Sequence, residues 1–165
     1  MIRPDLTEPA GAIFSPCGRF RFALWRRWNL NLPVLAFGCL NPSKAGVEIE
    51  DPTSLKFRGF AQRLGYGGYA TWNLYAFRAT DPADLRAAGY PVGEENDAYI
   101  EVISLVAGLT VCGWGGNAAK LSRPSEVTSI LRRLGVQPHA LRVNGDGTPA
   151  HPLYLPYTLA PSPWG

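Results

Sequence analysis

The chain is 165 residues long, 46% apolar and 18% charged, which suits one folded domain with a sizeable core and excludes intrinsic disorder. No apolar run approaches the ~20 residues of a membrane-spanning helix, and the opening stretch MIRPDLTEPAG lacks the apolar segment of a secretory signal, so a cytoplasmic protein is expected. The net charge of +3 (pI ≈ 8.9) is too small to imply nucleic acid by itself.

Of 16 basic residues only Lys44, Lys56 and Lys120 are lysine. An arginine excess suits planar contacts with phosphates and bases, and it equally reflects a codon bias. Cys17, Cys39 and Cys112 are far apart and fit no metal-ligand spacing, so all three are expected to be reduced and buried.

In chain order, residues 12 to 28 alternate Phe20, Phe22 and Leu24 with Arg19, Arg21 and Ala23, the period of a strand at a sheet edge. Residues 33 to 40 read as a buried strand. Residues 53 to 64 place Leu55, Phe57, Phe60 and Leu64 on one helical face, with Thr53 as its N-cap, and GYGG stops that helix. YATWNLYAF, residues 69 to 77, is the next strand. Asp81-Pro82 opens a short helix to residue 88. Residues 93 to 108 form a helix with acidic first turns, which suit the helix dipole and read as a solvated start. LTVCGWGG, 109 to 116, is a third core strand running into glycines; 125 to 135 is an amphipathic helix with a Gly stop; PHALRVN, 138 to 144, is a fourth strand. The tail is Pro-rich, with Trp164 as a possible pin.

This alternation predicts one α/β domain over residues 1–165, with an N-terminal edge strand or arm over about 1–30 and a Pro-rich tail over about 156–165. The expected architecture is a three-layer α/β/α sandwich around a central, mostly parallel four-stranded sheet. In such sheets ligands bind outside the carboxyl ends of the strands.

The polar residues fall at those ends. Strand 33–40 ends at Asn41-Pro42-Ser43, strand 69–74 carries Asn73, strand 109–113 ends at Trp114-Gly115-Gly116, and His151-Pro152-Leu153 follows strand 138–144. Each alone is a common turn or cap; together they mark one edge as a site. Asn73 interrupts an apolar strand, so its carboxamide needs partners, either neighbouring backbone or the edge of a nucleobase. His139 reads as a core or surface residue. Neither histidine has a second histidine at i+4, so no metal site is expected. Asp51 is either a turn residue before the helix or a second acid at the site.

The series LNPS, DPT, WNLYAF, PVGEEND, CGWGG and HPLYLP resembles a prokaryotic and phage family of uncharacterised domains over residues ~18 to 157. The order of these motifs on successive strand ends also resembles, more distantly, the uracil-DNA glycosylase superfamily, which shares a parallel four-stranded sheet flanked by helices. That resemblance implies a DNA glycosylase that excises a uracil-like or modified base by N-glycosidic hydrolysis. It makes Asn41 the residue that places the attacking water, Asn73 the reader of the flipped base, and His151 the donor to the departing base, with Asp51 as a candidate base. Pro42, Ser43, Phe57, Trp114 and Gly115 would line the substrate site, with Phe57 or Tyr75 stacking on the base. Leu153, Tyr154 and Leu155 would supply a wedge into the duplex, and Lys44, Arg58 and Arg63 would hold phosphates or else form a solvated face. Two departures stand out: Leu153 replaces the usual Ser of the last motif, and the first motif lacks the Asp-Pro-Tyr-His form. The resemblance implies DNA, duplex or single-stranded, as the partner of a monomer that needs no cofactor and no membrane. Repair and phage defence would look alike. A nucleotide or nucleoside binder with phosphate at Gly113–Gly116, or a silent DNA-binding module, would use the same fold.

Overall fold

The computed structural model describes residues 1–43 and 49–165. Its centre is a mixed seven-stranded sheet with helices on both faces. In chain order the elements are β1 (Ala10–Phe14), β2 (Arg21–Arg27), β3 (Val34–Cys39), α1 (Pro52–Arg63), β4 (Gly68–Asn73), α2 (Pro82–Ala87), α3 (Asn96–Val106), β5 (Leu109–Cys112), α4 (Arg123–Arg133), β6 (Pro138–Ala140) and β7 (Ser162–Pro163). The strand order is β1-β2-β4-β3-β5-β6-β7.

Four strands, β4, β3, β5 and β6, run parallel, and their carboxyl ends therefore share one edge. The sheet is larger than the four strands expected because antiparallel strands extend it at both sides. The single strand expected over 12–28 is a hairpin. Gly18, at φ +72°, turns the chain, and Ser15 Oγ accepts from the Phe20 N–H at 3.1 Å. β2 is therefore interior, between β1 and β4, and β1 is the edge. The tail is ordered as β7 on β6, and the Trp164 ring stands edge-on to Trp114 at 5.4 Å.

Successive residues of β3 and β4 alternate between two cores, as the pleat requires. Val34, Ala36, Ala70 and Trp72 face α3 and α4, whereas Leu35, Phe37, Cys39 and Tyr69 face α1. Gly38 is needed where β3 passes Trp72, because a Cβ there would lie 2.2 Å from the indole. Cys39 and Cys112 are buried and free, but Cys17 is exposed on the hairpin turn. The apolar runs that bury the first two have no counterpart around Cys17. Its thiol is lowered to about 7, chiefly by the hydrogen bond with Ser15, with Arg19 assisting.

α1 begins one residue earlier than expected, and its cap is Asp51, not Thr53. Asp51 Oδ1 accepts from the Ser54 N–H at 2.8 Å, and Pro52 occupies the first turn. Asp81 and Pro82 open α2 in the same way, as expected. β6 is shorter than expected, and Val143 instead bridges Pro149 in the loop that follows. Among the described residues no helix is long and apolar enough to cross a membrane.

Candidate functional site

The corner after β3 is stitched to the segment after β4. Asn41 Nδ2 donates to Ala79 O at 2.7 Å and to Pro42 O at 3.1 Å, and the Ala79 N–H returns a bond to Pro42 O at 3.0 Å. With its amide nitrogen so engaged, the acceptor end of Asn41 is the one left for a ligand. Next to it, Ser43 Oγ donates to Asp51 Oδ2 at 3.2 Å. Asp51 thus caps α1 with one oxygen and holds the corner with the other.

The end of β4 is held by two residues that sequence reasoning passed over. Asn96, at the start of α3, donates to Asn73 O at 2.9 Å and Leu74 O at 3.2 Å. Arg123, at the start of α4, donates through Nε to Leu74 O at 2.9 Å and pairs with Asp97 and Glu126. Both engage backbone, which leaves the Asn73 side chain to the cavity. Asn73 is 4% exposed and lines the chamber described below.

His151 follows from the packing of its loop on β5. A Cβ on Gly113 would lie 2.7 Å from Pro152 Cδ, and Gly115, at φ +76°, runs against His151 Cβ. His151 Nδ1 accepts from the Leu153 N–H at 3.1 Å and so caps the short 3-10 turn Pro152–Tyr154. An acceptor Nδ1 is unprotonated, so the neutral ring carries its proton on Nε2 as a donor. Burial holds the imidazole below its ordinary pKa, with the Asp51 carboxylate a smaller opposing influence.

These pieces converge. A chamber of about 90 Å³ is lined by Asn41, Pro42, Ser43, Asp51, Phe57, Asn73 and His151, together with Arg21, Leu24 and Thr71. It adjoins a cleft of about 520 Å³ that also touches Asn41, Ser43 and His151 and adds Trp114, Gly115, Arg142, Leu153 and Tyr154. The cleft volume is that of a small-molecule site, roughly 300–1,000 Å³. Trp114 is buried between Trp72 and Trp164, and Tyr154 stands 81% exposed on the rim. Phe57 lines the chamber and is stacked on Phe37 at 4.4 Å.

Other expected residues are elsewhere. Arg58 turns to Glu50, with Nε–Oε1 3.0 Å, and stacks over Trp28. Arg63 lies over the Tyr157 ring at the far end of α1, roughly 16 Å from its start at ~1.5 Å per residue. Tyr75 packs against Tyr90 on the α3 side, away from the chamber, whereas Leu155 lines the cleft but is buried against α1, a wall of the site and not an exposed wedge. Lys44 lies outside the described residues. The glycine-rich stretch keeps two of its N–H groups from a phosphate. Its Gly113 and Gly115 N–H groups donate to Gly38 O and Pro149 O, and only a three-residue 3-10 turn follows.

The sequence profile of a protein family described as "protein of unknown function (DUF1643)" matches residues 21–153. The chain belongs to the DUF1643 family. The matched span runs from Arg21 to Leu153 and contains every residue of the chamber. No curated protein and no solved structure matches. Among the described residues no three His, Cys, Asp or Glu side chains gather as a metal site.

The two parts Asp51 plays can be separated. Asp51→Asn keeps a good cap, whereas Asp51→Ala removes it and should lower stability by about 1 kcal/mol. Urea unfolding should show that loss in the alanine variant and little change in the asparagine variant. If a carboxylate is needed at the site, both variants should lose activity alike.

Proposed function

We propose that this member of the DUF1643 family is a DNA glycosylase of the uracil-DNA glycosylase type, which hydrolyses the N-glycosidic bond of a uracil-like or modified base. The observation that carries this reading is the convergence of Asn41, Asp51, Asn73 and His151, from four separate chain segments, on one chamber. The four parallel strands within the sheet, with the site at their carboxyl ends, are the frame such an enzyme uses.

A flipped nucleotide would enter the cleft at an unstacking cost of a few kcal/mol. Tyr154, exposed beside His151 with ring centroids 6.1 Å apart, would fill the gap in the stack, with Leu153 behind it. Asn73 would pair donor and acceptor with the base edge. As the C1′–N bond breaks, its electron pair goes to the base. The His151 Nε2–H would stabilise the negative charge that develops on a base oxygen. Water, oriented by the Asn41 carboxamide oxygen, would add to C1′, and its proton would pass to Asp51. Arg142, exposed on the cleft rim and in no ion pair among the described residues, is better placed than Arg58 or Arg63 to meet a phosphate, which makes binding weaken with salt.

The test is base release. Oligonucleotides carrying uracil, mismatched thymine, hypoxanthine or modified pyrimidines are incubated with the protein, and free base is measured by mass spectrometry. Release from at least one substrate, abolished in His151→Ala, supports the reading. A folded protein that releases none of them overturns it.

A further inference from the structure

The strand end that presents Asn73 is held from the far side of the sheet. The ladder between β2 and β4 stops at the pair Leu24–Thr71 and resumes where Arg21 and Phe20 meet Ala76 and Phe77. Between these points side chains hold the backbone. Asn96 Nδ2 spans the carbonyl oxygens of Asn73 and Leu74, and Arg123 Nε adds a second bond to Leu74 O. Both residues open helices of the α3 and α4 layer, whereas Asn73 lines the chamber together with Phe57 of α1.

Both residues carry a cost that an ordinary helix start avoids. Asn96 is fully buried, and its Oδ1 has no partner among the described residues. Two carbonyl oxygens require the amide to turn its NH2 toward them, so its acceptor is left unanswered. Arg123 is 5% exposed, although its partners Asp97 and Glu126 are about half exposed. Ion pairs of that kind offset little of the desolvation of a buried guanidinium. What the two residues have in common is the carboxyl end of β4. The stretch PVGEEND, which reads in the sequence as a solvated helix start, thus supplies Asn96 and the Asp97 carboxylate that holds Arg123.

We propose that Asn96 and Arg123 are positioning residues for base recognition: they fix the Asn73–Leu74 backbone from behind the sheet and so set the angle at which the Asn73 carboxamide meets a base edge. This rests on the reading of Asn73 as the residue that selects the base. A recognition group must be held within about 0.5 Å of its productive position. The side chain of Asn73 is short, so its direction follows the backbone that carries it. Neither Asn96 nor Arg123 touches the base; both act through Asn73.

The test uses free bases and the full chain, so it does not depend on bond cleavage. Affinities for uracil, cytosine, hypoxanthine and adenine are measured by thermal stabilisation, and the ratio between the best and the worst base is the readout. In wild type that ratio should be about ten-fold or more. Asn96→Ala should shrink it several-fold. Arg123→Lys keeps the charge beside Asp97 and Glu126 but loses the Nε donor; it should shrink the ratio as well, and it decides the matter where Asn96→Ala does not fold. In an Asn73→Ala chain neither change should alter the ratio further, because the residue they position is gone. Ile103→Ala removes a buried side chain from the core face of α3 and should lower Tm without moving the ratio. An unchanged ratio in the folded variants overturns the clamp and leaves Asn73 as the reader. An equal fall in Ile103→Ala overturns it too, as does a fall that adds to that of Asn73→Ala. Equal binding of all the bases by wild type, or of none, removes the base reading and the clamp with it.

Discussion

On the proposed glycosylase reading, His151→Ala should lower the rate of base release by about 100- to 1,000-fold, the usual effect of deleting one donor to a developing oxyanion. The loss should fall on kcat, because the hydrogen bond strengthens only as charge reaches the base. The variant should remain folded, since the ring's structural duty is one bond from the Leu153 N–H at the cleft rim. Single-turnover release, with Tm as the control, measures both effects. A His151→Ala enzyme that cleaves as fast as wild type would remove His151 from the chemistry.

The same residue sets a pH limb. Burial depresses the His151 pKa below the ordinary histidine value, and the neutral ring is the form with Nδ1 accepting and Nε2–H donating. Protonation places a hydrogen on Nδ1 and breaks the cap. Release should therefore be lost only as pH falls through that depressed value, below the ordinary histidine range, and His151→Ala should lack that limb. Stability follows the same direction. The unfolded chain binds the proton more readily than the folded one, so the folded state weakens as pH falls through the depressed value.

What was legible in the sequence and what was not have physical reasons. Asn41 and Asn73 stood out because each ends or interrupts an apolar run, and His151 because it follows the fourth strand, and parallel strands bring such ends together whatever the detail of the packing. The parallel core followed from the alternation of strands and helices. The extra strands did not, because Ala10–Phe14 and Ser162–Pro163 are too short to show a period. Arg21 was hidden for a different reason. In strict alternation it belongs with the face of Ala23, and only a bulge in the pairing of β1 with β2 sends it to the site. Asn96 and Arg123 sit in helix starts, where polar residues are ordinary, and their bonds to the end of β4 depend on how α3 and α4 pack. Thr71 looked like any β-branched strand residue. Asp51 was left open between a turn residue and an acid at the site, and the structure places it both at the helix start and on the chamber wall.

Asn73 is where stability and recognition should part most clearly. Asn73 is buried and lines the chamber, and its strand end is held through its backbone oxygen by Asn96, a bond that Asn73→Ala keeps. The free protein should lose little stability, or none, although the residue lies at the end of a central strand. Recognition should suffer in full: a paired carboxamide contact to a base is worth about 1–3 kcal/mol of discrimination, or roughly 5- to 150-fold. Release of the preferred base should fall by that factor or more, while release of poorer bases changes less, so the selectivity profile flattens. Asn73→Asp separates geometry from polarity. It keeps the acceptor and the shape but loses both amide donors, so a base that presents an acceptor to Asn73 should be rejected more strongly by Asp than by Ala. Competition between two oligonucleotides in one tube gives the ratio of their kcat/KM values directly, with Tm measured alongside. A large drop in Tm without a change in that ratio would make Asn73 a structural residue after all, and the strand edge would then lose its reader.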